Sequence, residues 1–333
     1  MQVLLGKRKN FYKANLHCHT TLSDGSRSPE ELKAEYKRRG YSIVAFTDHE
    51  HLIDNSHLND EDFLTITSCE LAIKEFADQS SLKNMDMRVC HLNFYALDAH
   101  NVTTPCYASA YDHYVSDENR DMVVFSGEYE RRYSADGINE MIAIGNRNGF
   151  LVSYNHPSWS LENATDYLHY EGLFAVEIYN HSCIKSGHAD DEHVFDDMLR
   201  AGKQLFCTAA DDNHNRADFD AARNDSFGGF VMINADTLAY DSVMDALQAG
   251  DFYASTGPAI HLLERDGDRV RIKTSPAAKI CMITHGRRIA QILADGEHPL
   301  TEAEFTLRDA DGYFRIRVED GHGKRAYTQA YRV

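Results

Sequence analysis

The chain has 333 residues, 43% of them hydrophobic and 26% charged, enough for one large domain or about two average ones with a real core. Its formal net charge of −18 repels nucleic-acid backbones and anionic lipid, which excludes bulk electrostatic binding to either. An anionic small molecule stays open, because metal ions in a cleft can reverse the local sign. Seven scattered cysteines with no CxxC pair read as reduced thiols, not as a disulfide framework or a thiolate zinc site. With no apolar run of membrane-spanning length and no signal-like leader, the expected setting is the cytoplasm.

In chain order, "FYKANLHCHT" (11–20) reads as a strand. "SPEELKAEYKRRG" (28–40) reads as a helix opened by Ser28–Pro29 and stopped at Gly40. "YSIVAFTDH" (41–49) follows as the next strand. Later strands are expected over 62–71, 87–97, 149–157, 173–180, 203–212 and 227–234, with helices over 137–148, 190–202 and 240–249. Residues 98–136 form a long, partly irregular loop near the mouth. Strands apolar almost throughout, alternating with helices, indicate a parallel sheet covered on both faces, and this many units predict a barrel. Beyond "GDFYASTGP" the texture becomes alternating runs parted by DG and GHG turn signals, the pattern of a small antiparallel β-sandwich or barrel. The expected division is therefore 1–257, an α/β barrel, and 258–333, an all-β unit.

"NLHCHTTLSDG" (15–25) carries the first chemical signal. In a strand His17 and His19 project to one side and Cys18 to the other. With 18 histidines, one HxH pair arises by chance about once, so the pair alone decides little. The other strands supply more: Asp48 and His49 in "FTDHEHL", Glu70 in "SCEL", His91, His156 in "NHP", and the pair Asp212 and His214 in "DDNH". Parallel barrels build their sites at the carboxyl ends of strands, where these groups are expected to converge. Imidazole and carboxylate suit zinc, manganese or iron, and nine candidate ligands, counting Asp24, exceed what one tetrahedral ion takes. They fit two or three divalent ions, with Asp24 and Glu70 able to bridge. Asp48 is expected to orient His49 or an attacking water, and His51, past the strand, to face solvent. Cys18, Cys69 and Cys90 alternate away into the core, and His261, His285, His298 and His322 read as surface residues. His181 is a candidate substrate contact. Arg27, Arg131, Arg132, Arg216 and Arg223 are candidates to assist an anion, none singled out.

"HCHTTLSDGSRSPEEL" followed by "AFTDHEHL" resembles the first two motifs of the PHP (polymerase and histidinol phosphatase) family, and "SCE", the His91 strand, "NHP" and "DDNH" resemble its later motifs in order. The resemblance spans about residues 12–235. It implies a distorted seven-stranded TIM-like β/α barrel whose di- or trinuclear cluster hydrolyses phosphate esters. It puts His17, His19, Asp24, His49, Glu70, His91, His156, Asp212 and His214 on ligand positions, with Asp24 marking the aspartate-bearing branch. The implied enzyme is a phosphoesterase cleaving a small phosphorylated metabolite or nucleotide by attack of a metal-bridging hydroxide, with His91 and Asp48 as catalytic groups. The β-rich tail resembles that of a stand-alone subgroup near which some members hydrolyse carbamates or amides, so the alternative is a carbamate or amide hydrolase. A catalytically silent scaffold is the third reading. The expected partner is a small anionic substrate, with no nucleic acid and no membrane, and a homo-oligomer is left open.

Overall fold

A computed structural model describes residues 1–75, 87–115 and 118–333. Its strands are β1 (Gln2–Leu5), β2 (Asn10–Asn15), β3 (Ile43–Phe46), β4 (Leu64–Lys74), β5 (Val89–Ala96), the two-residue pair β6 (Thr103–Thr104) and β7 (Val124–Phe125), β8 (Phe150–Tyr154), β9 (Ala175–Asn180), β10 (Phe206–Ala210), β11 (Phe230–Ala235) and β12 (Phe252–Ser255). The C-terminal strands are β13 (Ile260–Asp266), β14 (Arg269–Ala277), β15 (Lys279–Thr284), β16 (Ile289–Leu293), β17 (Leu300–Thr306), β18 (Tyr313–Glu319), β19 (Arg325–Tyr327) and β20 (Tyr331–Arg332). Helices are α1 (Pro29–Arg38), α2 (Ala135–Arg147), α3 (Ala164–Tyr167), α4 (His181–Lys185), α5 (Glu192–Arg200) and α6 (Tyr240–Gln248).

Local sequence explains these elements well. Ser28 caps α1, and its capping box with Glu31 satisfies donors that a helix start leaves open, while Pro29 supplies the helical φ. In α2, Ile138, Met141 and Ile142 fall at helical spacing on one buried face, each contributing about 1.5–3 kcal/mol by burial. That helix packs with α5 against β5, β8 and β9, and α6 covers the opposite wall formed with β2, β3 and β11. Gly145 lets α2 approach closely, since a Cβ there would lie 2.5 Å from the Phe94 ring.

The architecture is a mixed α/β fold with a large sheet and a C-terminal β-rich region. The large sheet runs β10-β9-β8-β5-β4-β3-β2-β11-β12-β19-β18-β15-β16, with β20 on β18. Two expectations need correction. The hydrogen-bonded order is open, ending at β10 and β16, so the ladder does not close into a (β/α)7 TIM-like barrel. The strands are also not all parallel: β5 runs against both β4 and β8, and among the described residues no helix separates β4 from β5. An unbroken apolar run reports burial on both faces and carries no information about strand direction. The C-terminal region is rich in β-strands. The β12–β19 pairing carries the large sheet into it, and β1 joins β13, β14 and β17 in a second, four-stranded sheet. The core between the two sheets includes Leu263, Ile272, Phe305, Phe314 and Ile316.

Candidate metal centre

The segments leaving β2 and β10 meet although the strands themselves do not pair. His19 N–H donates to the Asn213 carbonyl (3.1 Å) and Asp212 N–H to the His17 carbonyl (2.9 Å), bringing the two i, i+2 pairs together. Gly25 then lets the 20–25 turn fold back, because a Cβ there would lie 2.6 Å from the His19 backbone, and this turn delivers Asp24. His49, just past β3, bridges to Glu70 within β4. His91 lies near the start of β5 and reaches the same rim because β5 runs antiparallel, so not every ligand candidate comes from a carboxyl end. His156 and Asp212 have left-handed backbone, at φ 29° and 52°, a conformation that costs on the order of 1–3 kcal/mol outside glycine and concentrates at functional sites.

All nine candidate ligands converge. They form three overlapping groups: His19, Asp24, His49 and His214; His17, His19, Glu70 and Asp212; and Glu70, His91 and His156. Within each group, one ligand atom per residue lies within 4.8 Å of the others. Glu70 sits between groups, its Oε1 at 3.0 Å from His91 Nδ1 and 3.3 Å from His17 Nε2, its Oε2 at 3.3 Å from both His19 and His49. Asp212 Oδ1 lies 3.2 Å from His17 and 3.0 Å from His19. Asp24 Oδ2 is 3.4 Å from His214.

Such crowding sets the charges. Burial disfavours the His17 and His19 imidazoliums, but Asp212 and Glu70 outweigh it; His17 is raised well above the ordinary histidine value and His19 to about 10. His156 is raised too, burial being overcome by Glu70 and Asp212. Burial lowers His49, helped by the neighbouring His19, and burial also lowers His91. Against their own burial, Glu70, Asp212 and Asp24 are held well below the usual carboxylate range by the surrounding imidazoles. Protons and imidazoliums therefore balance the carboxylates where no cation does.

The donor set fits divalent ions. His19 Nδ1, Asp24 Oδ1 and His91 Nε2 are buried without a hydrogen-bond partner, which costs about 1–3 kcal/mol for each such group unless something satisfies it. Asp24 Oδ1 stands 3.8 Å from His19 Nδ1 and 3.9 Å from His49 Nε2, too far for hydrogen bonds. Cations held in the separate groups to which these atoms belong would satisfy them.

Several supporting residues escaped the sequence reading. Glu177 on β9 accepts from His17 Nδ1 at 3.1 Å. Asn180 donates to both Glu177 (2.7 Å) and Asp212 (3.0 Å), and Asn155 donates to Glu70 (2.9 Å). Asp211 lies beside the ligands but turns away, accepting from Tyr36 and from the Phe227, Gly228 and Gly229 amides; burial pushes its carboxyl up to about 6. Their one shared signal was a place in or just past a strand, which Asn, Asp and Glu occupy for many other reasons.

Asp48 is outside the three groups. Its carboxylate accepts from Thr20 N–H and Oγ1 (2.8 Å each) and from Ser23 Oγ (2.7 Å), so it ties down the turn that carries Asp24. His51 corrects an expectation: it is fully buried, with Nδ1 on the His49 carbonyl (2.7 Å). The 98–115 segment covers that turn, Thr104 accepting from Leu52 N–H, and cover by a distant segment is invisible in local sequence. The same segment brings the Tyr114 ring to 4.6 Å from His49. His181 pairs with Tyr179 and does not line the cleft. Among the arginines, Arg216 and Arg223 line the cleft, whereas Arg131 is buried against Glu50, Arg132 pairs with Glu140 and Arg27 with Asp218. All seven cysteines are free and buried, and the four tail histidines are exposed.

The cleft above the cluster has a volume of about 590 Å3 and is also lined by Trp159, Ser182, Lys185 and Ser186. Residues 15–206 match the PHP domain family. The chain belongs to that family. Asp212 and His214 lie beyond the matched stretch, and geometry alone groups them with the other candidate ligands. Among solved structures, the chain resembles a two-domain Bacteroides vulgatus protein containing a predicted PHP-like metal-dependent phosphoesterase, at 12% identity and TM-score 0.46, over 100% of this chain and 98% of the other. It also resembles a candidate metal-dependent phosphoesterase from Bifidobacterium adolescentis (16% identity, TM-score 0.35, 67% and 93% covered). A third resemblance is to a Chromobacterium violaceum amidohydrolase with bound sulfate (13%, 0.33, 60% and 87%). No curated protein matches. Among the described residues no helix is long and apolar enough to cross a membrane.

Proposed function

We propose that this PHP protein is a metal-dependent hydrolase, and that its substrate is a small phosphate ester. The observation that carries this reading is the three overlapping ligand groups sharing His19 and Glu70, a donor set of imidazole and carboxylate without thiolate. The nine side chains of those groups would hold two or three divalent ions, zinc, manganese or iron. Bound there, such ions supply Lewis acidity and lower the pKa of a coordinated water toward neutrality.

The chain's own residues do the rest. Glu177 holds the His17 ring by its Nδ1 atom, and Asn180 ties that carboxylate to Asp212. Asn155 fixes Glu70 between the groups. His91, with Nδ1 on Glu70, serves as a ligand and as the group nearest a leaving oxygen beside the Glu70–His91–His156 group. Asp48 acts indirectly, by fixing the 20–23 turn that orients Asp24. Lys185, Arg216 and Arg223 offset the overall negative charge at the mouth and favour an anionic substrate over a neutral carbamate or amide. We also infer a division at 257/258, where Gly257–Pro258 breaks β12 from β13.

The test is turnover by manganese- and zinc-loaded protein across phosphomonoesters, nucleotides and carbamates. Phosphomonoester hydrolysis that chelation abolishes is the expected result. Metal-dependent turnover of carbamates alone would reassign the reaction to carbonyl chemistry, and metal binding with no turnover of either class would favour a silent scaffold.

A further inference from the structure

The chain's one tryptophan, Trp159, is 41% exposed and lines the cleft. Its ring centroid lies 5.2 Å from that of His91 and 4.9 Å from that of His156, so it stands beside the Glu70–His91–His156 group. An indole is among the largest apolar surfaces a chain can present, and leaving it in water forgoes burial that a folded core would supply.

Nor is this ring loosely held. The turn that carries it is fixed at both ends through buried carboxylates, Asp191 from beside α5 at one end and the turn's own Glu162 at the other. Ser158 N–H donates to Asp191 (3.2 Å), beside the start of α5. Glu162 accepts from Tyr133 and Tyr154 (2.7 Å each) and from Tyr170. Between them, Trp159 N–H and Ser160 N–H both donate to the His156 carbonyl (3.0 and 3.1 Å), and Leu161 takes a left-handed φ of 58°. A strained turn, anchored on both sides, thus holds an exposed aromatic plane beside ligand imidazoles. A backbone held in this way lowers the cost of ordering the ring on binding, and so pre-organises it for a partner.

We propose that Trp159 is a specificity-determining residue that stacks on a planar, π-bearing group of the substrate, so that the preferred substrate is an aryl or heteroaryl ester. This rests on the metal-hydrolase reading above. It adds that the group nearest the His91 and His156 end is flat and aromatic, not aliphatic.

Phenylphosphonate and methylphosphonate, which share the anionic head but not the ring and are not hydrolysed, test it on the manganese-loaded full chain. Phenylphosphonate should bind about tenfold or more tighter by calorimetry, as stacking of one aromatic group commonly provides. It should also shift the indole emission, which in this chain reports on Trp159 alone. Trp159→Leu should bring the two affinities to within about twofold, with manganese content unchanged, and Trp159→Phe should keep most of the preference. Equal affinities in the native chain, or a preference that survives Trp159→Leu, would overturn the inference while leaving the hydrolase reading intact. Failure of manganese to load, or of methylphosphonate to bind at all, would overturn that reading and this inference with it.

Discussion

Glu177 touches no other ligand candidate but His17, yet it determines which His17 nitrogen is free. By accepting from Nδ1 at 3.1 Å it leaves Nε2 facing Glu70 and Asp212. Glu177→Gln keeps the shape and removes the charge, and it should weaken divalent-ion affinity by about 10–100-fold with the fold intact, read by competition with a chromogenic chelator. Unchanged affinity would show that the ring needs no such partner. Protons make a second prediction at this scale. His19 is raised from its ordinary 6.5 to about 10, so in metal-free protein its ion pairs stabilise fully below pH 6.5, and that contribution fades as pH rises through about 10. Cations need the deprotonated ring, so the rise in melting temperature on adding manganese should grow between those two pH values. A rise that is constant or shrinks across that interval would contradict the assignment.

At the scale of elements, a buried ion pair ties Arg131 to the turn after β3. Arg131 donates to Glu50 Oε1 (2.9 Å) and to the carbonyls of Ala72 (2.7 Å) and Cys106 (3.0 Å), and both charged side chains are 1% exposed. Glu50 itself adopts a left-handed φ of 70° beside His49, so the pair locks the turn after β3 to the segment that presents Tyr114. Arg131→Met leaves the Glu50 charge buried without its partner and should cost about 3–5 kcal/mol in chemical denaturation. A loss below about 1 kcal/mol, the range of exposed pairs, would mean that water replaces the guanidinium. The sequence reading treated Arg131 as a candidate anion contact, because nothing local distinguishes a buried arginine from a cleft arginine. By contrast α1, observed over Pro29–Arg38, was legible to within about two residues, because Ser28, Pro29 and Gly40 are short-range signals.

Across the whole molecule, the same division between short- and long-range information decides what could be read. Every barrel-region strand expected over residues 11–234 has a counterpart between β2 and β11, because apolar runs report burial directly. Strand direction and closure depend on which runs pair, and the antiparallel β5, the open ladder and the entry of β1 into the second sheet were therefore not legible. The nine ligand candidates were legible because their chemistry is rare in combination. Glu177, Asn155 and Asn180 were not, since their roles exist only through partners up to 160 residues away. The central claim is that these nine side chains grip one cluster of divalent cations. The most direct measurement is an anomalous difference map from crystals of the manganese-loaded chain. We expect two or three peaks, each within coordinating distance of one of the three ligand groups around Glu70 and His19. A map of well-ordered, metal-saturated crystals with no peak among those residues would contradict the account.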